Sequence, residues 1–343
     1  MLAIIADDLT GALDTGAPFA GRGLRTEVAL NVAAIAGAVA EEPEVLTINL
    51  GSRELDAVSA GALASQAIGA LPAGTRVFKK VDSRLKGHVA AELDPIPYRA
   101  ALVAPAIPEF GRVVRAGHVA GFGVEQPINV ASRLGDHAER CSIPDIASAD
   151  EMRLALQIAD SEGVDLLVGA RGLAEALAEQ MSERHDPDLA ELPKGRAVFV
   201  IGSRDPITLV QIASLRDAEP DIDHRAAPNG VVPDEPAGDR PLVLIQATVG
   251  AEDVSSLQVS TNLASGVHPV LTASATTLLL CGGATAEAVL SEMGITRFRL
   301  LGECLPGLGL AYAGGQCIIA KSGGFGTPDT LVTLAARLQG DMG

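Results

Sequence analysis

Short apolar runs that alternate with longer stretches of helical periodicity constrain the fold of this 343-residue chain more than any other feature. LAIIA at 2–6, VLTIN at 45–49 and RAVFVI at 196–201 have the length and composition of buried strands. The segments between such runs are long enough for helices. Repeated alternation of this kind predicts an α/β fold in which helices cover mainly parallel sheets.

The same alternation, together with the length of the chain, predicts the other elements and a domain boundary. A chain of this length favours about two domains. We place the boundary near 194, which gives an N-terminal domain over 1–194 and a C-terminal domain over 195–343, each with three α/β layers, and an interdomain cleft. The segment 217–241 has five prolines and little periodicity, so we interpret it as a linker or surface excursion. The remaining predicted strands cover 26–30, 75–80, 100–104, 164–168, 241–246, 276–281, 297–301 and 315–320, and the predicted helices cover 54–70, 148–161, 171–183, 206–217, 251–264, 284–293 and 327–339.

Charge and aromatic content exclude some classes of partner. The formal net charge is −17, and the chain contains seven Phe, two Tyr and no Trp, which disfavours a general nucleic-acid partner.

The N-terminus lacks the basic region of a signal peptide, and the uncharged segment 254–286 is too rich in Ser and Thr to span a membrane. The four cysteines are not spaced as a disulfide framework. We therefore expect a soluble cytoplasmic protein with reduced thiols and no membrane partner.

Polar residues follow the ends of three predicted strands in the N-terminal half. Ligands of open α/β sheets bind outside the carboxyl ends of the strands, so these three tips are the first places to seek a site. Asp7 and Asp8 follow the first strand, and their mutual repulsion has to be offset by a cation, a metal or a substrate hydroxyl. The alternative is structural, because Asp8 or Thr10 could cap a helix that begins near Gly11.

A local basic cluster stands out against the acidic background. The stretch KKVDSRLKGH at 79–88 brings four cations together, and a positive cluster of this kind suits an anionic small molecule. Strand alternation sends Lys79 and Lys80 to opposite faces, so only one of them can point at a shared site. Arg53, in the GSR sequence at 51–53, could add a guanidinium that matches a carboxylate. A solvated basic face with strand-end salt bridges is the structural alternative.

Glycine turns dominate the C-terminal half. CGGATA at 281–286 and KSGGFGT at 321–327 each follow an apolar strand and precede a helix, and Gly202-Ser203 forms a third junction of this type. Glycine at such a junction lets backbone N–H groups approach phosphate oxygens at the positive end of a helix. No GxxxxGK[ST] loop, GxGxxG, HExxH or GxSxG sequence occurs, and the histidines do not have metal-ligand spacing. Two such turns in one domain favour a nucleotide site.

Taken together, these stretches resemble the four-carbon acid sugar kinase family. The resemblance runs along the whole chain and rests on the order of its pieces: IADDLTGALDTG at 4–16, GSR at 51–53, KKVDSRLKG at 79–87, APAIPEFGR at 104–112, GS at 202–203, GGAT at 282–285 and KSGGFG at 321–326. The chain departs from the family pattern at Arg84, Lys86, His88 and Ala284, and in Arg204-Asp205-Pro206. These departures concern the choice of substrate more than the type of reaction.

The resemblance implies ATP-dependent phosphorylation, with Mg²⁺, of a hydroxyl on a short sugar acid such as threonate, erythronate or 3-oxo-tetronate. Within this mechanism we select Asp8 as the residue that accepts the hydroxyl proton, with Asp7 as the second candidate or a ligand on the Mg²⁺ side; no dedicated metal site of the protein is expected. The implied substrate-binding residues are Arg53, Lys80, Asp82, Ser83, Lys86 and Gly87. The implied nucleotide-binding residues are Ser203, Gly282, Gly283, Ala284, Thr285, Gly323 and Gly324.

Other functions remain open on the sequence alone. A metal-dependent lyase or aldolase acting on sugar acids would use Asp7, Asp8 and the basic cluster but not the glycine turns. A non-catalytic sugar-acid-binding protein would keep the fold and lose turnover, and an NAD-dependent dehydrogenase lacks its dinucleotide fingerprint here. The sequence also leaves open which acid and which hydroxyl react. The sequence allows a homodimer, which an exposed apolar helix face would suggest, but periodicity alone does not show which helix faces are exposed.

Overall fold

The computed structural model describes residues 1–235 and 238–340. The chain divides into two compact units, Met1–Asp188 and Leu189–Gly343, which we call unit 1 and unit 2. No helix in the described part of the chain has the length and apolar character needed to cross a membrane. All four cysteines are free thiols, and Cys281, Cys304 and Cys317 are buried.

Unit 1 contains a seven-stranded sheet, a small three-stranded sheet and helices on both faces of the larger sheet. Its strands are β1 (Leu2–Ala6), β2 (Thr26–Ala29), β3 (Val45–Asn49), β4 (Arg76–Lys80), β5 (Ala101–Ala104), β6 (Arg112–Arg115), β7 (His118–Gly121), β8 (Ile128–Asn129), β9 (Cys141–Ser142) and β10 (Leu166–Gly169). Its helices are α1 (Leu9–Gly21), α2 (Ile35–Val39), α3 (Ala57–Ala70), α4 (Val89–Leu93), α5 (Val130–Leu134), α6 (Ala149–Ser161) and α7 (Arg171–Met181).

The large sheet of unit 1 has the strand order β2-β3-β1-β4-β10-β5-β9, and its strands pair in parallel. Neighbouring residues of the completely buried β1 contribute to opposite faces, as the pleat of a strand requires. Ile4 lies in one apolar core, and Ile5 lies in another. Helices α1, α6 and α7 supply residues to the first core, and α2 and α3 supply residues to the second. The result is a three-layer unit with a buried parallel sheet.

Unit 2 repeats the layered architecture with a partly antiparallel sheet. Its strands are β11 (Ala197–Ile201), β12 (Asp223–Pro228), β13 (Leu242–Thr248), β14 (Thr277–Cys281), β15 (Arg297–Leu305), β16 (Leu308–Ala313) and β17 (Gln316–Lys321), in the spatial order β12-β13-β11-β14-β17-β16-β15. Its helices are α8 (Pro206–Ala218), α9 (Ser256–Val267), α10 (Gly283–Glu292) and α11 (Thr330–Gln339). The first five strands in this order pair in parallel, and β16 pairs antiparallel with both β17 and β15.

These observations confirm the predicted α/β class and the mainly parallel sheets, but two local predictions were wrong. The segment 217–241 is not only a linker, because it contains the edge strand β12; Pro236 and Ala237 of that segment lie outside the described residues. Its apolar period is hidden by polar residues such as Asp223 and Arg225, which form an ion pair with each other. The segment after 301 continues β15 to Leu305 and returns as β16, which the glycine-rich sequence obscured.

The predicted helix over 251–264 lies later in the chain than expected. Helix α9 begins at Ser256 because the side chain of Ser255 accepts a hydrogen bond from Gln258 N at 3.1 Å. A serine in this position satisfies one of the free N–H groups of the first turn and so fixes where the helix starts. The apolar positions identified the helix, and the capping residue set its first turn.

Candidate functional site

The three polar strand tips predicted in the N-terminal half are neighbours in unit 1. Strand β1 lies between β3 and β4, with Ala6 paired to Asn49 and Ile5 paired to Lys79. The loops after these strands therefore leave the same edge of the sheet. The backbone N–H groups of Ser52 and Arg53 both donate to the carbonyl oxygen of Asp7, at 3.0 and 3.2 Å. The loop after β3 is thus attached directly to the acidic pair after β1.

Arg53 forms ion pairs with both of the adjacent carboxylates. Its Nε and Nη2 donate to the two carboxylate oxygens of Asp7, each at 2.8 Å, and its Nη1 donates to Asp8 Oδ2 at 2.7 Å. The paired contact with Asp7 has the forked geometry that guanidinium and carboxylate groups form best. An arginine supplied from another strand therefore offsets the repulsion between Asp7 and Asp8.

Burial and charge act in opposite directions on this ion pair. Burial alone would raise the pKa of Asp7, but its hydrogen bonds to Arg53 and the charges of Lys79 and Lys80 outweigh that effect and hold the pKa below its ordinary value. Burial alone would lower the pKa of Arg53, yet the hydrogen bonds and charges of the two aspartates raise it. Asp7 is therefore a firmly ionised partner of Arg53 and a weak proton acceptor.

Asp8 has the structural role considered from the sequence. It is the N-cap of α1, where its Oδ1 accepts a hydrogen bond from Gly11 N at 3.0 Å. Its Oδ2 accepts a hydrogen bond from the hydroxyl of Thr10 at 2.8 Å. The Asp8 side chain is 18% exposed and that of Asp7 only 3%. Of the two carboxylates, Asp8 is thus the one that a small molecule can reach.

The structure confirms that Lys79 and Lys80 point in different directions. Lys79 is completely buried, and its Nζ lies 2.7 Å from Glu92 Oε2 and donates to two backbone carbonyls. Lys80 is 5% exposed, and within the described residues its ammonium forms neither an ion pair nor a hydrogen bond. A Cβ on Gly11 would lie only 2.7 Å from Lys80 Nζ, so this ammonium lies over the first turn of α1. Of the two lysines, Lys79 is therefore neutralised by a carboxylate and Lys80 is not.

The residues after β4 form a tight turn beside the acidic pair. Asp82 Oδ1 accepts hydrogen bonds from Arg84 N at 2.9 Å and from Lys86 N at 3.5 Å. The Ser83 hydroxyl accepts a hydrogen bond from Arg112 Nη1 at 2.5 Å. Lys86 is exposed. Gly87 has a φ of +83°, and a Cβ there would approach Asp7 Oδ2 to 2.7 Å, so only glycine fits beside that carboxylate.

In unit 2, three parallel strands end in register. Ile201 of β11 pairs with Cys281 of β14, and Cys281 pairs with Lys321 of β17. One further hydrogen bond joins each pair of neighbouring strands beyond these residues: Gly202 N donates to the carbonyl of Cys281, and Gly282 N donates to that of Lys321. The three glycine junctions predicted from the sequence therefore lie side by side.

The turns pack closely, and the first turn of α10 is left open. A Cβ on Gly323 would lie 2.0 Å from Ser203 Oγ, which shows how closely the first and third turns approach. Gly282 is the N-cap of α10 with a φ of +106° and makes no side-chain capping bond. A Cβ on Gly283 would meet nothing within 4 Å. Open space at an uncapped helix N-terminus suits an anionic group.

The other predicted nucleotide-binding residues surround these turns. Ser203 Oγ accepts a hydrogen bond from Asp205 N at 3.2 Å, and a Cβ on Gly324 would lie 3.3 Å from Asp205 Oδ2. Ala284 is exposed in the first turn of α10. Thr285 is 3% exposed, and its hydroxyl lies 3.5 Å from that of Ser260. The structure therefore brings all seven predicted positions together in unit 2, with Thr285 facing the protein interior.

Comparisons with known proteins identify the family of this chain. Residues 2–130 match the sugar-binding N-terminal domain family, and residues 198–331 match the nucleotide-binding C-terminal domain family. The chain is 28% identical to a D-threonate kinase of Bordetella bronchiseptica, over 98% of this chain and 97% of that protein. It is 26% identical to a 3-oxo-tetronate kinase of Cupriavidus necator, over 96% of this chain and 95% of that protein. The chain belongs to the four-carbon acid sugar kinase family. It is a phosphotransferase.

Solved structures show the same fold for this four-carbon acid sugar kinase. A Salmonella typhimurium LT2 protein superposes with a TM-score of 0.75 at 19% identity and covers 100% of this chain and 99% of its own. A Haemophilus influenzae protein of the DUF1537 family superposes with a TM-score of 0.70 at 19% identity, covering 98% of this chain and 100% of its own. At this level of identity the comparisons establish the architecture.

Sequence reasoning missed several residues that the kinase places around unit 1's acidic pair. Glu92, which is 1% exposed, neutralises Lys79 and also accepts a hydrogen bond from the Ser52 hydroxyl. Arg112 donates a hydrogen bond to the Ser83 hydroxyl, although the sequence analysis quoted it in APAIPEFGR without assigning it a role. Gly11 belongs to the quoted IADDLTGALDTG stretch, and its conformational role in leaving space for Asp8 and Lys80 became visible only in the structure. Glu92 lies in an ordinary helical sequence that gives no signal of this role.

Among the described residues, the kinase has no group of three or more His, Cys, Asp or Glu side chains arranged to hold a metal ion. A Mg²⁺ ion that travels with nucleotide phosphates needs only one or two carboxylates from the protein. In unit 2 the carboxylate beside the glycine turns is Asp205, whose Oδ1 caps α8 by accepting a hydrogen bond from Ile207 N. Its Oδ2 accepts no hydrogen bond from the part of the chain that the structure describes. Asp205 therefore fits the modest requirement of such an ion.

Proposed function

We propose that this phosphotransferase uses ATP, with Mg²⁺, to phosphorylate a hydroxyl of a four-carbon sugar acid such as threonate, erythronate or 3-oxo-tetronate. The observation that carries the proposal is the alignment of three glycine junctions at the ends of β11, β14 and β17. Three adjacent turns rich in backbone donors, beside the open N-terminus of α10, suit the phosphates of a nucleotide. The D-threonate and 3-oxo-tetronate kinases among its relatives support the substrate class.

We assign acid binding to residues 1–194 and nucleotide binding to residues 195–343. In the N-terminal part, Lys80 is the residue best suited to the acid's carboxylate, because its ammonium is nearly buried and forms no ion pair or hydrogen bond with the described residues. Three of the five donors of Arg53 are already used by Asp7 and Asp8, which leaves two for the substrate. Asp82, Ser83, Lys86 and Gly87 form the turn beside this position and complete the proposed acid site.

Asp8 is the proposed acceptor of the hydroxyl proton. A general base has to be ionised, reachable and within hydrogen-bond distance of the reacting hydroxyl. Asp8 is the more exposed of the two carboxylates, whereas both oxygens of Asp7 are bound to Arg53. Arg53 and Thr10 orient Asp8 in turn. Asp7 thus acts in this proposal as the residue that fixes Arg53.

Phosphoryl transfer needs alignment and charge neutralisation more than covalent participation of the protein. Bound Mg²⁺ would neutralise phosphate charge, and Asp205 is the carboxylate placed to assist in holding it. Ser203, Gly282, Gly283, Ala284, Thr285, Gly323 and Gly324 form the proposed nucleotide site. Lys80 would fix the acid at its carboxylate end, so that one hydroxyl is presented to Asp8.

A screen for ADP release tests the proposal directly. The purified full chain is incubated with ATP, Mg²⁺ and single aldonates of three to six carbons or their keto forms. Phosphorylation of a four-carbon acid is expected, with turnover strongly reduced in Asp8→Asn. Turnover of a sugar acid with a divalent metal but without ATP would instead indicate a lyase or aldolase. Binding of acid and ATP without any ADP release would indicate a protein that only binds them.

A further inference from the structure

Lys321, the last residue of β17, is a completely buried lysine at the base of unit 2's glycine turns. Its Nζ donates a hydrogen bond to the Ser322 carbonyl at 3.0 Å and lies 4.0 Å from Cys281 Sγ. Within the described ranges it forms no ion pair, although Asp205 is near enough to act on it electrostatically. A buried ammonium without a paired carboxylate lowers the stability of a folded protein. The position therefore favours a functional role.

The contacts of Lys321 connect it to two of the three junctions, those after β14 and β17. Cys281, which its ammonium approaches, is the residue before Gly282, and Ser322, which it binds, is the residue before Gly323. Cys281 Sγ lies 3.8 Å from the hydroxyl of Thr208, in the first turn of α8. That hydroxyl donates to the Gly323 carbonyl at 2.6 Å. Lys321 and Thr208 thus pack against the turns at the ends of β14 and β17.

We propose that Lys321 is a positioning residue of the nucleotide site: its fixed charge attracts the phosphates from beneath the glycine turns, and its hydrogen bond holds the Ser322 carbonyl in place. This inference rests on the proposed function, since it assumes that the turns bind a nucleotide. It adds a residue that the sequence analysis quoted in KSGGFG but did not assign to any role. The side chain acts through the turns and has no contact of its own with solvent.

The size of the charge supports this role. A helix N-terminus contributes about half an elementary charge, whereas an ammonium contributes a whole one. The protein carries a formal net charge of −17, so its overall field repels a nucleotide. A positive charge in a poorly solvated position beside the glycine turns is screened much less than the charge of a surface lysine. Lys321 therefore counteracts the repulsion at the place where the phosphates are proposed to bind.

Calorimetric titration of the full chain with ATP, ADP and adenosine tests the proposal. Lys321→Met removes the charge with little change in volume, and Lys321→Gln removes it but retains an N–H donor for Ser322. Both variants are expected to bind ATP about 10- to 100-fold more weakly than the wild type. Their affinity for ADP should fall less, and their affinity for adenosine should stay within about twofold of the wild-type value. Lys194→Met, at an exposed lysine of the same unit, is the charge-matched control and should bind all three normally.

The pattern across the three ligands decides the outcome. Equal weakening of ATP, ADP and adenosine binding would show that Lys321 only maintains the conformation of the turns. Unchanged ATP affinity would show that Lys321 neither attracts the phosphates nor maintains the turns. Either result would overturn the inference. If Lys321→Met does not fold, Lys321→Gln gives the same comparison. A wild-type chain that binds none of the three ligands would refute the proposed function, and this inference with it.

Discussion

The guanidinium of Arg53 forms two parallel hydrogen bonds with the carboxylate of Asp7, both 2.8 Å long. Because Arg53 also donates to Asp8, a single cation serves two neighbouring carboxylates and leaves the pair with a net negative charge. Asp7 is buried and Asp8 is partly exposed. The two adjacent aspartates are thereby separated into a structural residue and an accessible one, and their variants should behave differently.

Asp8→Asn is expected to lower kcat by ~10²–10⁴-fold, because the amide can no longer accept the hydroxyl proton. KM for the acid should change little, since Lys80 and Arg53 keep their charges. Steady-state kinetics with the preferred sugar acid measures both quantities. Asp82→Asn is the matched comparison. If Asp8→Asn retains near-normal turnover while Asp82→Asn loses it, the two assignments have to be exchanged.

Asp7→Asn is expected to act mainly on stability. It removes the carboxylate that neutralises a largely buried guanidinium, so the free energy of unfolding should fall by roughly 3 kcal/mol at neutral pH. Urea denaturation of the variant and the wild type measures this difference. An Asp7→Asn protein as stable as the wild type would show that Asp8 alone is a sufficient partner for Arg53.

The same pair of proteins gives a prediction for pH. The pKa of Asp7 in the folded protein lies below its ordinary value of 3.8. The stabilisation from its ionised form is therefore fully present above that value and is lost as the pH falls through the lowered folded-state pKa. The difference in unfolding free energy between wild type and Asp7→Asn should be constant near pH 6 and shrink below about pH 4. A difference that grows on acidification would contradict the direction of the shift.

Lys79 and Lys80 provide matched variants, one expected to affect the stability of the protein and the other its KM for the sugar acid. Lys80→Met should raise KM for the sugar acid roughly 10- to 100-fold with little loss of stability, because a charge-assisted hydrogen bond to the substrate carboxylate is lost. Lys79→Met should leave Glu92 buried without its partner and lower the unfolding free energy by about 3–5 kcal/mol.

Kinetics and denaturation of both lysine variants separate these effects. An uncharged polyol of the same length adds a control, since Lys80→Met should impair its phosphorylation far less than that of the acid. If both lysine variants lose stability alike and neither changes KM, Lys80 does not bind the carboxylate.

Two glycines of unit 2 give a third matched pair. A methyl group at Gly283 meets nothing within 4 Å, so Gly283→Ala should leave the melting temperature unchanged or slightly raise it. If phosphates lie against this backbone, the same methyl group should weaken ATP binding about tenfold or more, because it prevents their close approach. Gly323→Ala places its Cβ 2.0 Å from Ser203 Oγ and should lower both stability and ATP affinity.

Thermal melting and ATP titration distinguish the two glycine variants. Normal ATP binding by a well-folded Gly283→Ala protein would place the phosphates away from α10. Loss of stability in Gly283→Ala would mean that the space beside Gly283 is smaller than the structure indicates.

Much of unit 1's site could be predicted because parallel strands bring their carboxyl ends to one edge of a sheet. The tips after β1, β3 and β4 are adjacent for that reason alone. The partner of Asp7 could not be predicted, because Arg53 is 46 positions away and several other cations were equally eligible. Strand alternation separated Lys79 from Lys80, but only the position of Glu92 shows which one is neutralised.

The elements that the sequence hid are those whose stability comes from neighbours and not from an apolar period. Strand β12 lies at the sheet edge and carries the Asp223–Arg225 ion pair, and β16 is a glycine-containing return strand. The small sheet of β6, β7 and β8 is assembled from short segments with weak individual signals. Pairing across the sheet determines such strands, and periodicity along the chain does not report it.

The open turn at Gly282 and Gly283 exposes main-chain atoms and no side-chain functional group. Main-chain donors recognise oxyanions, which adenosine and guanosine triphosphates have in common. Such a turn is therefore indifferent to the nucleobase, and any preference between adenine and guanine has to come from side chains elsewhere in unit 2. Substitutions at those side chains could change which triphosphate is used while the phosphate-binding geometry stays as it is.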